Sequence, residues 1–178
     1  MIPIKVTTDY TLLQSTITIP KLLAFITKYQ LNVCGICDTN LSGVMEFYES
    51  LTKEKIKPLI GLDVIIENIR LYLYPRNYEG YQDLLKINTL YEKGELTLNF
   101  IYEHSSLLNV ILPYEYLSFF ENLDFPHLYV GYTSLLQKNE ALIKTEQILF
   151  CPNFKAFFVK DTKLLQILDA ISQNASLG

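Results

Sequence analysis

A chain of 178 residues with 15 Lys plus Arg against 19 Asp plus Glu, formal net charge −4, is long enough for one domain with a real core and too acidic to grip a nucleic-acid backbone by charge alone. With 49% apolar and 19% charged residues, disorder and low complexity are excluded as descriptions of the whole. The opening MIPIKVTTDY lacks the basic start and apolar core of a secretory signal, and no run approaches the roughly 18 apolar residues of a membrane span. Three cysteines in such a chain point to reduced thiols, so a cytoplasmic protein with no membrane contact is expected.

In chain order, a first strand is expected near Ile2 to Val6, followed by TDYTLL, where Asp9 and Thr11 suit a turn or helix cap and Tyr10 suits the core. IPKLLAFITKYQ places Leu22, Leu23, Phe25, Ile26 and Tyr29 along one helical face, with Pro20 in the first turn, where its missing N–H is harmless. A strand from Asn32 to Cys37, a helix from Ser42 to Lys55 and strands over Pro58 to Ile65 and Arg70 to Tyr74 follow. Next come a helix over Asn77 to Lys93, a strand over Leu107 to Leu112, a helix near Tyr114 to Asn122 and a strand over His127 to Gly131. The last elements are a helix over Ser134 to Lys144, a strand over Ile148 to Cys151, and a helix in KDTKLLQILDAISQ. Asp161 or Thr162 caps that final helix before Leu164, Leu165, Ile167, Leu168 and Ile171. Strands alternating with helices indicate an α/β protein with a parallel sheet or barrel, and seven strands come close to a closed barrel. Its core should include Leu22, Phe25, Leu84, Leu85, Leu165 and Leu168. The domain covers residues 1–172, and QNASLG, 173–178, reads as the start of a linker or a chain end.

The stretch VCGICDTNLSG, Val33 to Gly43, carries Cys34 and Cys37 three apart and then Asp38. Side chains three apart on a strand point to opposite faces, so the two thiols cannot share a metal or each other while the segment stays extended. A redox CxxC opens a helix, and here the helix starts several residues later. Small, buried packing roles are expected for Cys34, Cys37 and Cys151, and structural roles for His104 and His127, which have no partner at metal-ligand spacing.

Four stretches in order, IPIKVTTDYTLLQSTITI, ICDTNLSGVMEFYESLTKEKIKPLIGLDVII, LYLYPRNYEGYQDLLKI and ILFCPNFKAFFVKDTKLLQILDAI, resemble the N-terminal polymerase and histidinol phosphatase (PHP) domain of bacterial DNA polymerase III alpha subunits. The most specific wording is E-F-Y followed by I-K-P-x-I-G, and N-x-E-G-Y-x-x-L-L-K. The resemblance implies a distorted seven-stranded (β/α) barrel, PHP-like, with a metal site built from histidines and carboxylates at strand ends. The family's His-x-His falls on Lys5 and Thr7, a nearby family histidine on Pro3, its Asp-His on Asp38 and Thr39, and its glutamate on Asp63. The late Asn-Asp-x-His falls on Pro152, Asn153, Phe154 and Lys155. Of these remnant positions, only Asp38 and Asp63 keep carboxylates, too few for a catalytic zinc, which takes about three protein ligands.

Lys5 and Lys155 would bring ammonium groups to that pocket, where a salt bridge to Asp38 or Asp63 could replace metal. An Asx turn is another role open to Asp38, and weak Mg²⁺ binding by Asp38 and Asp63 through waters a third. The resemblance thus implies a domain with no catalytic residues and no cofactor of its own, acting as a structural and interaction module in DNA-templated DNA synthesis. Its partners would be the remainder of the polymerase chain, a DNA-directed nucleotidyltransferase holding its own Mg²⁺, and a proofreading exonuclease or other replisome subunits. YLSFFENLDFPHLYVGY, Tyr116 to Tyr132, is the candidate source of an apolar docking patch. The alternatives are an active metal-dependent PHP phosphoesterase or 3′-to-5′ exonuclease, and a thiol oxidoreductase using Cys34 or Cys37.

Overall fold

The computed structural model describes residues 1–158 and 160–176. Its elements in chain order are β1 (Lys5–Val6), α1 (Ile19–Lys28), β2 (Val33–Asp38), α2 (Val44–Lys53), β3 (Lys57–Ile66), β4 (Ile69–Pro75), α3 (Tyr78–Glu92), α4 (Leu98–Glu103), β5 (Leu108–Pro113), a 3₁₀ helix (Tyr114–Asn122), β6 (Leu128–Tyr132), α5 (Leu135–Lys144), β7 (Ile148–Phe150), β8 (Asn153–Phe154) and α6 (Asp161–Ser176). They divide into two compact units, one built from residues 1–59 with the described residues from 153 onward, the other from residues 60–152.

In the first unit, α1 starts where Thr18 accepts the Lys21 N–H and ends where Gln30 takes a left-handed φ of +52°. Ile19, Leu22 and Ile26 are its buried face, each contributing about 1.5–3 kcal/mol of transfer free energy. Phe25 is half-buried and stacks on Phe157 with ring centroids 4.1 Å apart, whereas Tyr29, expected on the same face, is exposed. β2 needs Gly35 because a Cβ there would lie 2.3 Å from the Ile4 carbonyl oxygen. The first expected strand shrinks to Lys5–Val6, which pairs in parallel with β8, a two-residue strand that the sequence reading did not anticipate. Leu165 and Leu168 of α6 are half-buried. That helix runs through Ser176; residues 177 and 178, the end of the expected linker, lie outside the described residues.

The second unit holds a hairpin. Glu67 and Asn68 both take positive φ, 51° and 65°, the mirror-image turn that matches strand twist and joins β3 to β4 antiparallel. β4 and β5 are also antiparallel, whereas β5, β6 and β7 run parallel. On α3, whose N-cap Asn77 accepts the Gly80 N–H at 2.8 Å, Leu84 and Ile87 are buried, while Leu85, expected in the core, is 41% exposed. α4 was not anticipated, and Tyr114 to Asn122 winds as a 3₁₀ helix with no buried residue.

The protein is therefore mixed α/β, and the expectation of parallel strands is corrected at β3-β4 and β4-β5, which run antiparallel. The described strands form a two-stranded sheet, β1-β8, and a six-stranded mixed sheet in the order β2-β3-β4-β5-β6-β7. The reason is local: four residues separate the expected strands ending at Ile65 and starting at Arg70, and a parallel crossover needs a dozen or more. No helix among the described residues is long and apolar enough to cross a membrane.

Candidate functional site

β2 is an apolar strand that ends on a charge. Cys34, Ile36 and Cys37 are buried, and Asp38, the last strand residue, is only 2% exposed. A carboxylate so deeply placed must find donors in the protein, and it finds three on the loop after β1. The Thr8 N–H donates to Oδ1 at 2.7 Å, the Thr8 hydroxyl to Oδ2 at 2.6 Å and the Thr11 hydroxyl to Oδ1 at 2.7 Å. Burial raises the Asp38 pKa above its ordinary value, while the Thr8 and Thr11 hydrogen bonds and the positive charge of Lys5 work in the opposite direction.

Lys5 is 1% exposed. Its ammonium donates to the Cys37 carbonyl oxygen at 2.6 Å and to the Thr7 hydroxyl oxygen at 3.2 Å. The Thr7 hydroxyl in turn donates to Asn153 Oδ1 at 2.8 Å, across the β1–β8 pair, where Lys5 and Asn153 are in register. Lys5 and Thr7 lie two positions apart, so β1 and the residue that follows it supply the cation and the hydroxyl that relays to β8. Ser15 ties the loop back, its hydroxyl shared between the carbonyls of Thr7 (2.5 Å) and Lys155 (3.0 Å).

The neighbouring loop completes the wall. The Thr39 N–H donates to Thr11 Oγ1 at 3.2 Å, and the Asn40 side-chain amide to the Tyr10 carbonyl at 2.9 Å. Asn40, not Asp38, makes the local turn, accepting the Ser42 N–H at 3.0 Å. A cleft of about 510 Å³ opens here, lined by residues that include Asp9, Tyr10, Thr11, Gln14, Thr39 and Asn40. Gly43 lets the helix start come close: a Cβ on it would sit 2.5 Å from the Tyr10 ring. Tyr10 is half-buried and donates its hydroxyl to Glu46 at 2.6 Å.

The structure thus brings Lys5, Thr7 and Asn153 into one chain of hydrogen bonds that ends on the Cys37 carbonyl, and directly beside it in sequence Thr8 and Thr11 bind Asp38, with Thr39 at the margin through its backbone. Lys155 enters through its carbonyl, which accepts from Ser15 and from the Thr16 N–H at 3.0 Å. Asp63 belongs to the second unit, where it is 5% exposed and its Oδ1 lies 3.2 Å from Arg70 Nε. That pairing follows from the hairpin register: Arg70 stands opposite Ile65, two residues along the strand from Asp63 and therefore on the same face. Thr8, Thr11 and Arg70 were not singled out as site residues from sequence. Thr8 and Thr11 could have been found from the run of hydroxyls in TTDYT directly after a strand, and Arg70 from counting the hairpin.

All three cysteines are buried, and desolvation pushes the Cys34 thiol up to about 12. His104 stacks on Phe100 with centroids 4.0 Å apart and sets Nδ1 2.9 Å from the Phe100 carbonyl oxygen, a helix-end role. Among the described residues, no group of three or more His, Cys, Asp or Glu is placed to hold a metal ion.

The family model for the PHP domain matches residues 4–150. The chain belongs to the PHP domain family. Curated relatives of this PHP domain are named DNA polymerase III subunit alpha. The protein from Streptococcus pyogenes serotype M3 is 28% identical over 179 residues, covering 96% of this chain and 17% of the relative. That from Ureaplasma parvum serovar 3 is 35% identical over 86 residues, 48% of this chain and 9% of the relative. That from Mycoplasma genitalium is 32% identical over 91 residues, 49% and 10%. The PHP domain described here therefore spans about one sixth of the length of the first of these proteins.

Proposed function

We propose that this PHP domain is a non-hydrolytic structural and interaction module of a cytoplasmic replicative DNA polymerase III alpha subunit, serving DNA-templated DNA synthesis through the polymerase segments it accompanies. The observation that carries this reading is the state of Asp38. Both of its oxygens are taken by protein donors, and a buried ammonium stands nearby on a position where the family's ligands fall. A divalent cation seeks several oxygen or nitrogen donors with free lone pairs. Here it would have to displace three hydrogen bonds and face the repulsion of Lys5, so these residues do not fit the family's metal. The names of the relatives support the polymerase context. Nucleotide addition, with its Mg²⁺, belongs in this reading to the remainder of the polymerase, and a proofreading exonuclease or other replisome subunits are further partners. Direct DNA binding by the domain is weak on this account, given its net charge of −4.

The test is metal content and phosphodiester hydrolysis of the purified chain, with Zn²⁺ and Mn²⁺ supplied in turn. Substoichiometric metal, an unchanged melting temperature in chelator and no hydrolysis above a Thr8→Val, Asp38→Ala control are expected. Stoichiometric metal, or hydrolysis abolished by Asp38→Ala, would overturn the reading in favour of a PHP phosphoesterase or exonuclease.

A further inference from the structure

We propose that Lys5 is a built-in cation: its ammonium takes the electrostatic place of a bound ion, drawing β1, the end of β2 and β8 around one cradle of oxygen atoms. The proposal deepens the non-hydrolytic reading above and rests on it.

Lysine is almost never fully buried unless paired, because removing an ammonium from water is costly. Lys5 is nevertheless 1% exposed, and the oxygens around it are of the kinds that cations coordinate. One is the Cys37 carbonyl at 2.6 Å, short enough for a charge-assisted bond. Another is the Thr7 hydroxyl at 3.2 Å, whose own proton is directed to Asn153 and whose lone pair is therefore free to accept. The negative charge complementing the cradle is Asp38, on which the Lys5 charge acts. A tethered ammonium needs no binding from solution, so the cluster stays charge-balanced at any metal concentration. Cutting the stem should leave an oxygen-lined, electronegative hole of the size and charge of the fragment removed. This is a concrete chemical class of ligand, a small primary alkylammonium.

The experiment is chemical rescue. Lys5→Ala removes what amounts to n-propylammonium, and thermal unfolding of this variant is followed in n-propylammonium chloride, in 1-propanol and in sodium chloride of equal ionic strength. A saturable rise in melting temperature with n-propylammonium, absent with 1-propanol and sodium chloride and absent in the wild-type chain, is the expected result. Equal rescue by 1-propanol, or no rescue by n-propylammonium, overturns the proposal, since the site would then need only volume or only the covalent stem. A second measurement holds if Lys5→Ala does not fold. Lys5→Met keeps the stem and loses the charge, and adding Asp38→Asn to it should recover part of the lost melting temperature. A double variant that is no more stable than Lys5→Met, or one that also fails to fold, overturns the counter-charge role. Neither failure touches the non-hydrolytic reading, which is decided separately by metal content and hydrolysis of the wild-type chain.

Discussion

Thr8 holds both oxygens of Asp38, its N–H reaching Oδ1 at 2.7 Å and its hydroxyl reaching Oδ2 at 2.6 Å. The two residues are 30 positions apart in sequence, so the loop after β1 and the end of β2 are fastened to each other by one side chain. Thr8→Val keeps the shape and the backbone bond but removes the hydroxyl donor from a buried carboxylate. A loss of about 1–3 kcal/mol is expected in urea unfolding with an unchanged m-value. A loss within error of zero would mean that water reaches Oδ2 and that the cluster is not sealed.

The pH dependence of stability should carry the mark of Asp38. Burial raises its pKa in the folded chain above the ordinary value of 3.8, so the folded state binds this proton more readily than the unfolded state. The corresponding stability is complete below the ordinary value and is lost as pH rises through the raised one. In Asp38→Asn that decline should vanish, giving a flatter curve of unfolding free energy against pH over the window just above the ordinary carboxylate value. Parallel curves for the two proteins would show that Asp38 titrates normally in the fold.

Gly43→Ala tests the close approach of the helix start to Tyr10. The new methyl group would lie 2.5 Å from a ring carbon, inside van der Waals contact, and either the ring or the backbone must move. A cost of about 1–3 kcal/mol is expected, and it should shrink when the ring is removed in a Tyr10→Ala background. Equal costs in the two backgrounds would place the strain elsewhere.

All three thiols should resist labelling. Cys34, Cys37 and Cys151 are buried, and the Cys34 thiol is pushed up to about 12, leaving almost no thiolate at neutral pH. A maleimide or disulfide reagent at neutral pH should therefore modify the folded chain only as fast as it opens, and modify it at once in denaturant. Rapid labelling of one thiol in the folded chain would revive a redox role.

Much of the arrangement was legible in the sequence because it depends on local periodicity. Leu22 and Ile26 recur at helical spacing and are buried, and VCGICD reads as a strand because apolar residues run unbroken to Asp38. Errors came where a third element decides. Leu85 has the same chemistry as Leu84 one residue away, but the covered arc of α3 is narrower than its apolar arc. Tyr116 to Tyr132 reads as an apolar patch, yet Leu123, Phe125, Leu128 and Val130 are buried in the second unit. Several large exposed aliphatic side chains lie instead on α5, at Leu135, Leu136, Leu142 and Ile143, and on α6, at Leu164, Ile167 and Ile171.

The sequence by itself determined that this chain is an α/β protein with the wording of a PHP domain, and its resemblance led us to expect lysine and threonine where that family's histidines fall. Residue identity is enough for such statements. Only the tertiary structure decided what those residues do: that Lys5 turns inward to the Cys37 carbonyl, that Thr8 and Thr11 close over Asp38, and that Asp63 meets Arg70 across a hairpin. The physical reason is that a buried charge takes whichever partners the folded backbone brings within about 3 Å, and those partners lie as much as 32 residues away along the chain.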